Sequence, residues 1–151
     1  MLESILSKYP KEQDMLIEIL LDVQNQKTDQ YLSEAEIEQI ASYLSLPTAH
    51  VSSAVSFYTF FSTQPRGKHV IQVCKDVPCY LNDSDNLVDT IQKQLGIGMH
   101  ETTEDGMFTL EPTSCLGICD GAPAMRIGEH TYTKLNKDRV TALLAEYRGK
   151  R

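Results

Sequence analysis

Four cysteines, Cys74, Cys79, Cys115 and Cys119, carry the most specific chemistry in this sequence, and all lie in its second half. Their spacing is Cys-x4-Cys, a long gap, then Cys-x3-Cys. Thiolates are natural ligands for iron in a sulfide-bridged cluster, and a [2Fe–2S] core takes four of them, two on each iron. Zinc also accepts four cysteines, commonly as close pairs. The spacing therefore leaves three readings open: a cluster, a zinc-stabilised four-cysteine interaction module without a redox role, and disulfides or free thiols. No Cys-x2-Cys occurs, which argues against a thiol–disulfide exchanger. The pattern also departs from the plant-type ferredoxin run, Cys-x4-Cys-x2-Cys. His50, His69, His100 and His130 are scattered outside both cysteine loops, so a Rieske centre is not indicated.

Other chemistry is sparse. No Gly-x-Gly-x-x-Gly follows a strand, so the chain itself is not expected to bind NAD. No Ser/His/Asp or Cys/His constellation suggests hydrolysis. The net charge of -7 argues against an extended phosphate-binding surface, and no nucleic acid is expected. No apolar run approaches the ~20 residues that span a bilayer, so no membrane insertion is expected. Met1-Leu2-Glu3-Ser4 has neither the basic-then-apolar order of a secretory signal nor the acid-poor character of a transit peptide. The expected location is cytoplasmic, where thiols stay reduced and clustered cysteines point to metal or redox chemistry.

The elements that must position the cysteines can be read from periodicity. Residues 1–63 read as a helical bundle. Met15, Leu16, Ile19, Leu20 and Val23 share one helical face between Glu12 and Gln26. Ser33 and Glu36 form a capping box, with Leu32 and Ile37 placed as a hydrophobic staple, and Pro47 is expected to end that helix. Thr48 is expected to cap a third helix that buries Val51, Ala54, Val55 and Tyr58. Phe57, Tyr58, Phe60 and Phe61 are expected to pack in a core. Gln64-Pro65-Arg66-Gly67 is a turn signal, and residues 64–151 form a second domain. Lys68 to Val73 reads as a strand ending at Cys74, and Lys75 to Pro78 as a loop before Cys79. Asp83 or Ser84 caps a helix that Gly96 ends. Asp105-Gly106 turns into the strand Met107 to Glu111. Cys115 to Cys119 is a second loop, and Gly117 within it and Gly121 just after it admit close backbone approach. Pro123 is a candidate cis-proline. Ala124–Ile127 and Thr131–Thr133 form a hairpin about Gly128-Glu129, and Asn136 caps a last helix. The fold class is α+β: an N-terminal helical bundle, then a small mixed sheet with flanking helices.

The words around the cysteines are familiar. Ser56-Phe57-Tyr58-Thr59-Phe60-Phe61, Pro65-Arg66-Gly67-Lys68-His69-Val70-Ile71-Gln72-Val73-Cys74, Pro78-Cys79 and Ser114 to Met125 resemble the thioredoxin-like [2Fe–2S] ferredoxin family. That family has members in complex I (NADH:quinone oxidoreductase), in NAD(P)-linked hydrogenases and in NAD-linked formate dehydrogenases. The resemblance covers nearly the whole chain. It implies a thioredoxin-like sheet and one [2Fe–2S] cluster on Cys74, Cys79, Cys115 and Cys119. It further implies an electron-transfer subunit that is non-catalytic alone. The expected partner is an FMN- and NAD(P)-binding flavoprotein subunit of the same complex, alongside further iron–sulfur subunits. One departure is visible: the family often has a glycine-containing turn after the second cysteine, where this chain has Asn82-Asp83-Ser84-Asp85-Asn86.

Overall fold

A computed structural model describes residues 2–149. The chain divides into two compact units, one running to Arg66 and the other beginning at Gly67.

The first unit is helical: α1 (Leu2–Leu6), α2 (Leu16–Asn25), α3 (Glu34–Leu44) and α4 (Thr48–Phe57). Leu16, Ile19, Leu20 and Val23 of α2 are buried with Ile37, Ile40 and Leu44 of α3 and Val51 and Val55 of α4. Helix α2 starts later than its periodicity suggests, because Gln13–Met15 forms a 3-10 turn ahead of it. Helix α1 has no counterpart in the sequence pattern. Its five residues are too few to show a period, yet Ile5 and Leu6 are buried. The capping box is present: Ser33 Oγ accepts the Glu36 N–H, and the Ser33 N–H donates to Glu36 Oε2 at 2.8 Å. Leu32 and Ile37, the staple pair, are both buried. Helix α3 stops at the left-handed Ser45 (φ 54°), ahead of Pro47. Pro47 is itself the N-cap of α4, so Thr48 is already helical and makes no side-chain cap.

The aromatic run departs from expectation. Phe61 is buried, whereas Phe57, Tyr58 and Phe60 are exposed. The helix ends at Phe57 and Tyr58 is extended, so the rings no longer share a helical face. Gln24 holds this segment. Its buried side chain donates from Nε2 to the Phe60 carbonyl at 2.9 Å and accepts the Ser62 N–H at 2.8 Å. The Leu32 N–H donates to the Ser62 carbonyl at 2.8 Å.

The second unit holds β1 (His69–Cys74), α5 (Val77–Leu81), α6 (Ser84–Leu95), β2 (Phe108–Thr113), β3 (Met125–Ile127), β4 (His130–Tyr132) and α7 (Lys137–Gly149). The sheet order is β2-β1-β3-β4, with β1 and β2 parallel and the other pairs antiparallel. Ile71, Val73, Phe108, Leu110, Met125 and Ile127 of the strands are buried with Leu87, Val88 and Ile91 of α6 and Val140 and Leu144 of α7. Gly96 (φ 68°) ends α6, and Asn136 Oδ1 caps α7 by accepting the Arg139 N–H at 2.9 Å. The β3–β4 hairpin turns at Gly128-Glu129, and the Ala122–Pro123 bond is cis. The α+β class, a helical bundle followed by a mixed sheet, is therefore as expected. No described helix is long and apolar enough to cross a membrane.

Candidate functional site

Strand β1 ends at Cys74, which lies opposite Thr113, the last residue of its parallel neighbour β2. Parallel strands finish at the same edge of a sheet, so the segments leaving β1 and β2 emerge side by side. The Lys75 N–H donates to the Thr113 carbonyl at 3.2 Å, continuing the ladder one step past the strands. Cys115 follows two residues beyond Thr113. Sequence-distant cysteine loops are thus brought to one edge by topology.

The first loop is more ordered than expected. Asp76 is the N-cap of α5, with Pro78 in the first turn, where its missing N–H costs nothing. Cys79 therefore sits on a helix and not after a plain loop. Cys74 and Cys79 are each 2 % exposed and are buried with Ala124. Leu116 and Ile118 of the second loop pack against these three residues, so the two loops are in contact. The Ala124 carbonyl accepts the Cys74 N–H at 3.1 Å, and the Ala124 N–H faces the Cys79 sulfur.

The second pair differs in exposure. Cys115 and Cys119 are open to solvent, with their sulfurs 3.3 Å apart, and the Gly117 N–H donates to Cys115 Sγ at 3.4 Å. Gly117 has φ 77°, a left-handed conformation that glycine adopts without strain. Gly121 serves a different contact from the one expected. A Cβ there would stand 2.7 Å from Thr133 Cβ, so its small size lets the loop close against the residue after β4.

Cys79 and Cys119 resist ionisation. Burial pushes the Cys79 thiol up, and its hydrogen bond with Cys74 adds to this, while the Ala124 N–H works in the opposite direction. Cys119 is also raised, first by its hydrogen bond with Cys115 and then by burial, with Cys74 and Asp76 adding negative charge. None of the four cysteines is in a disulfide. Free thiols in two contacting pairs, with backbone N–H groups aimed at Cys79 and Cys115, match the donor set of a two-iron cluster and the N–H···S bonds that support one. Among the described residues, no three His, Cys, Asp or Glu side chains converge as a site for a single ion.

Sequence reasoning does not identify Ala124 as a support for the first pair, since a backbone contact leaves no side-chain signature. Nor does it foresee that α5 forms and leaves an apolar face in solvent. The i, i+3, i+4 spacing of Val77, Tyr80 and Leu81 is the available signal. Met125, near the second loop in sequence, is buried in the sheet core.

Comparison with known proteins agrees with this geometry. The thioredoxin-like [2Fe-2S] ferredoxin family matches residues 2–148. A relative from Rickettsia prowazekii, named as a subunit of NADH-quinone oxidoreductase, is 38% identical over 146 residues, covering 96% of this chain and 82% of its own. A Pseudomonas aeruginosa protein of the same name is 41% identical over 131 residues, covering 87% of this chain and 78% of its own. In fold, the chain resembles part of a crystal structure of an NAD+-reducing [NiFe]-hydrogenase in the H2-reduced state. The TM-score is 0.75 at 23% identity, over 87% of this chain but only 22% of that one. The extent of the family match, together with the two cysteine pairs at one sheet edge, shows that this chain belongs to the thioredoxin-like [2Fe-2S] ferredoxin family.

Proposed function

We propose that Cys74, Cys79, Cys115 and Cys119 hold one [2Fe–2S] cluster, and that the chain carries single electrons as a subunit of an NADH-linked oxidoreductase of the NADH-quinone oxidoreductase or hydrogenase kind. The carrying observation is the meeting of the two pairs, through Leu116 and Ile118 packed on Cys74, Cys79 and Ala124. Cys74 and Cys79 would serve one iron and Cys115 and Cys119 the other. When bound, the cluster supplies reversible one-electron storage. The chain's own part is to fix the thiolates: β1 and α5 hold the inner pair rigidly, and the Gly117 turn presents the outer pair. Ala124 and Gly117 direct N–H groups at sulfur, which favours the anionic state. The relatives' names support a multi-subunit setting. In that setting a flavoprotein subunit binds FMN and NAD(P)H and exchanges electrons with this one, in a reducing, cytoplasmic compartment. The helical unit up to residue 63 and the cluster unit from residue 64 would be the two working domains.

Anaerobic purification of the full chain tests this. Coloured protein with iron and acid-labile sulfide in equal amounts is expected, and each Cys→Ser substitution should shift or abolish the visible spectrum. NADH alone should leave that spectrum unbleached, and NADH with the flavoprotein partner should bleach it. A colourless preparation holding zinc would overturn the reading in favour of the zinc module.

A further inference from the structure

Ser84 carries a hydroxyl that the fold buries and gives no protein partner. It is 0% exposed, and its Oγ makes no hydrogen bond among the described residues. Serine at the start of a helix ordinarily accepts an N–H of the first turn. Here Asp83 takes the N-cap position, so Ser84 comes one residue too late to cap α6. A buried hydroxyl without a partner costs free energy, and native proteins rarely keep one without a use for it.

The surroundings of Ser84 point to that use. Ser84, Leu87, Val88 and Ile91 are the buried residues of α6, spaced i, i+3, i+4, i+7, so they share its inner face. The last three pack on the strands and offer no acceptor. Ser84 stands at the N-terminal end of that face, and two connections tie this end to the inner cysteines. The chain from Cys79 to Ser84 is tightly wound: the Asn82 N–H donates to the Cys79 carbonyl and the Asp83 N–H to the Tyr80 carbonyl, both at 3.1 Å. Around the same turn, Asp83, Asn86 and Leu87 line one groove with Pro123. Pro123 precedes Ala124, which is buried in one cluster with Cys74 and Cys79. The first turn of α6 therefore lies against the edge of the sheet that holds the inner pair.

We infer that the Ser84 hydroxyl donates a hydrogen bond to a sulfur of the [2Fe–2S] cluster, on the side held by Cys74 and Cys79. This inference rests on the proposed function and adds a residue that tunes the cluster's reduction potential. Cluster sulfur is anionic, and reduction makes it a stronger acceptor. A donated hydrogen bond therefore favours the reduced state and raises the potential. The Ala124 and Gly117 N–H groups already face cysteine sulfur. Ser84 supplies a third donor, the one of the three that a substitution can delete.

The test uses the full, cluster-loaded chain. Ser84→Ala and Ser84→Gly each remove the hydroxyl, and Ser84→Thr keeps it. Redox titration should place the Ala and Gly variants negative of wild type, with Thr at the wild-type potential. Electron–nuclear resonance of the reduced cluster after exchange into D2O reads the bond itself. One coupled deuteron present in wild type and Thr should be lost in Ala and Gly. A hydroxyl-free variant with the wild-type potential and every deuteron retained would overturn the inference and leave the proposed function standing. A shifted potential with no deuteron lost would overturn it too, since the hydroxyl would then act only through the fold. A wild-type chain that takes up no iron and no sulfide would remove both.

Discussion

Cys74 and Ala124 are joined by a backbone hydrogen bond of 3.1 Å, and the same Ala124 turns its N–H toward Cys79. One residue therefore fixes the end of β1 and the inner sulfur of α5 together. Ala124 is 1% exposed and is buried in one cluster with both cysteines.

That packing leaves no room for bulk. Ala124→Leu should destabilise the fold by about 1–3 kcal/mol through overpacking. It should also disturb the visible spectrum of the loaded protein, since the N–H facing Cys79 must move. Denaturant unfolding and absorbance read the two effects separately, and an unchanged spectrum would remove Ala124 from the site.

The capping box at α3 makes a second prediction. Burial alone would raise Glu36, but the Ser33 hydroxyl and N–H and the Lys27 ammonium, 2.9 Å away, outweigh it and lower its pKa from the ordinary 4.5. Because the folded value is depressed, this stabilisation is complete above about pH 4.5 and is lost as pH falls through the folded value. Ser33→Ala should cost about 1 kcal/mol at neutral pH. The gap to wild type should narrow in acid, as read from urea midpoints across the pH series.

An alkaline prediction has the opposite sign. The Tyr9 hydroxyl donates to Asp22 Oδ2 at 2.6 Å, and the Tyr9 carbonyl accepts from the Tyr43 hydroxyl at 2.7 Å. The hydrogen bond to Asp22, then burial, then the charges of Asp22 and Glu18 push Tyr9 from 10.0 up to about 12. Raising the folded pKa of an acid that is neutral below it stabilises the fold fully below pH 10. That contribution disappears as pH climbs to about 12. Tyrosinate absorbance should show Tyr9 ionising late, as Tyr147, raised by burial and its hydrogen bond with Tyr132, also does, and Tyr9→Phe should abolish only the Tyr9 part of the alkaline dependence.

Asp83 lies in the Asn82–Asn86 stretch that follows the second cysteine, and its φ is 72°. The left-handed region is strained for most side chains but tolerated by aspartate, whose carboxylate here accepts from Asn86 Nδ2 at 2.7 Å. Asp83→Gly should leave stability close to wild type, whereas Asp83→Val should cost about 1–2 kcal/mol. Equal thermal midpoints for the two variants would show that the turn carries no strain.

The parts of the chain legible in sequence are those with a local physical cause. Ser33 and Glu36 cap through a three-residue relation, Gly96 and Gly128 stop or turn the chain by their own torsions, and β1 is a short, mostly buried apolar run. The cysteine pairs are visible by type and spacing. What is not legible depends on distant partners. Phe57, Tyr58 and Phe60 carry the composition of a core, but their placement is decided by where α4 stops and by Gln24. Gly121 has a flexibility that suggests ligand approach, yet its neighbour is Thr133. Val77 and Pro78 have the look of a loop because proline breaks most helices, although it is well accommodated in a first helical turn.

The side chain of Gln24 ends in the same chemical group as a peptide bond, and it meets the 60–62 segment much as an adjacent strand would, one donor and one acceptor in step. That borrowed rung recognises main chain and ignores what the main chain carries. The side chains of residues 60–62 therefore do not decide the contact, while the glutamine does: an acid there would set its own lone pairs against a carbonyl, and the loop would be cast off from the helix beneath it.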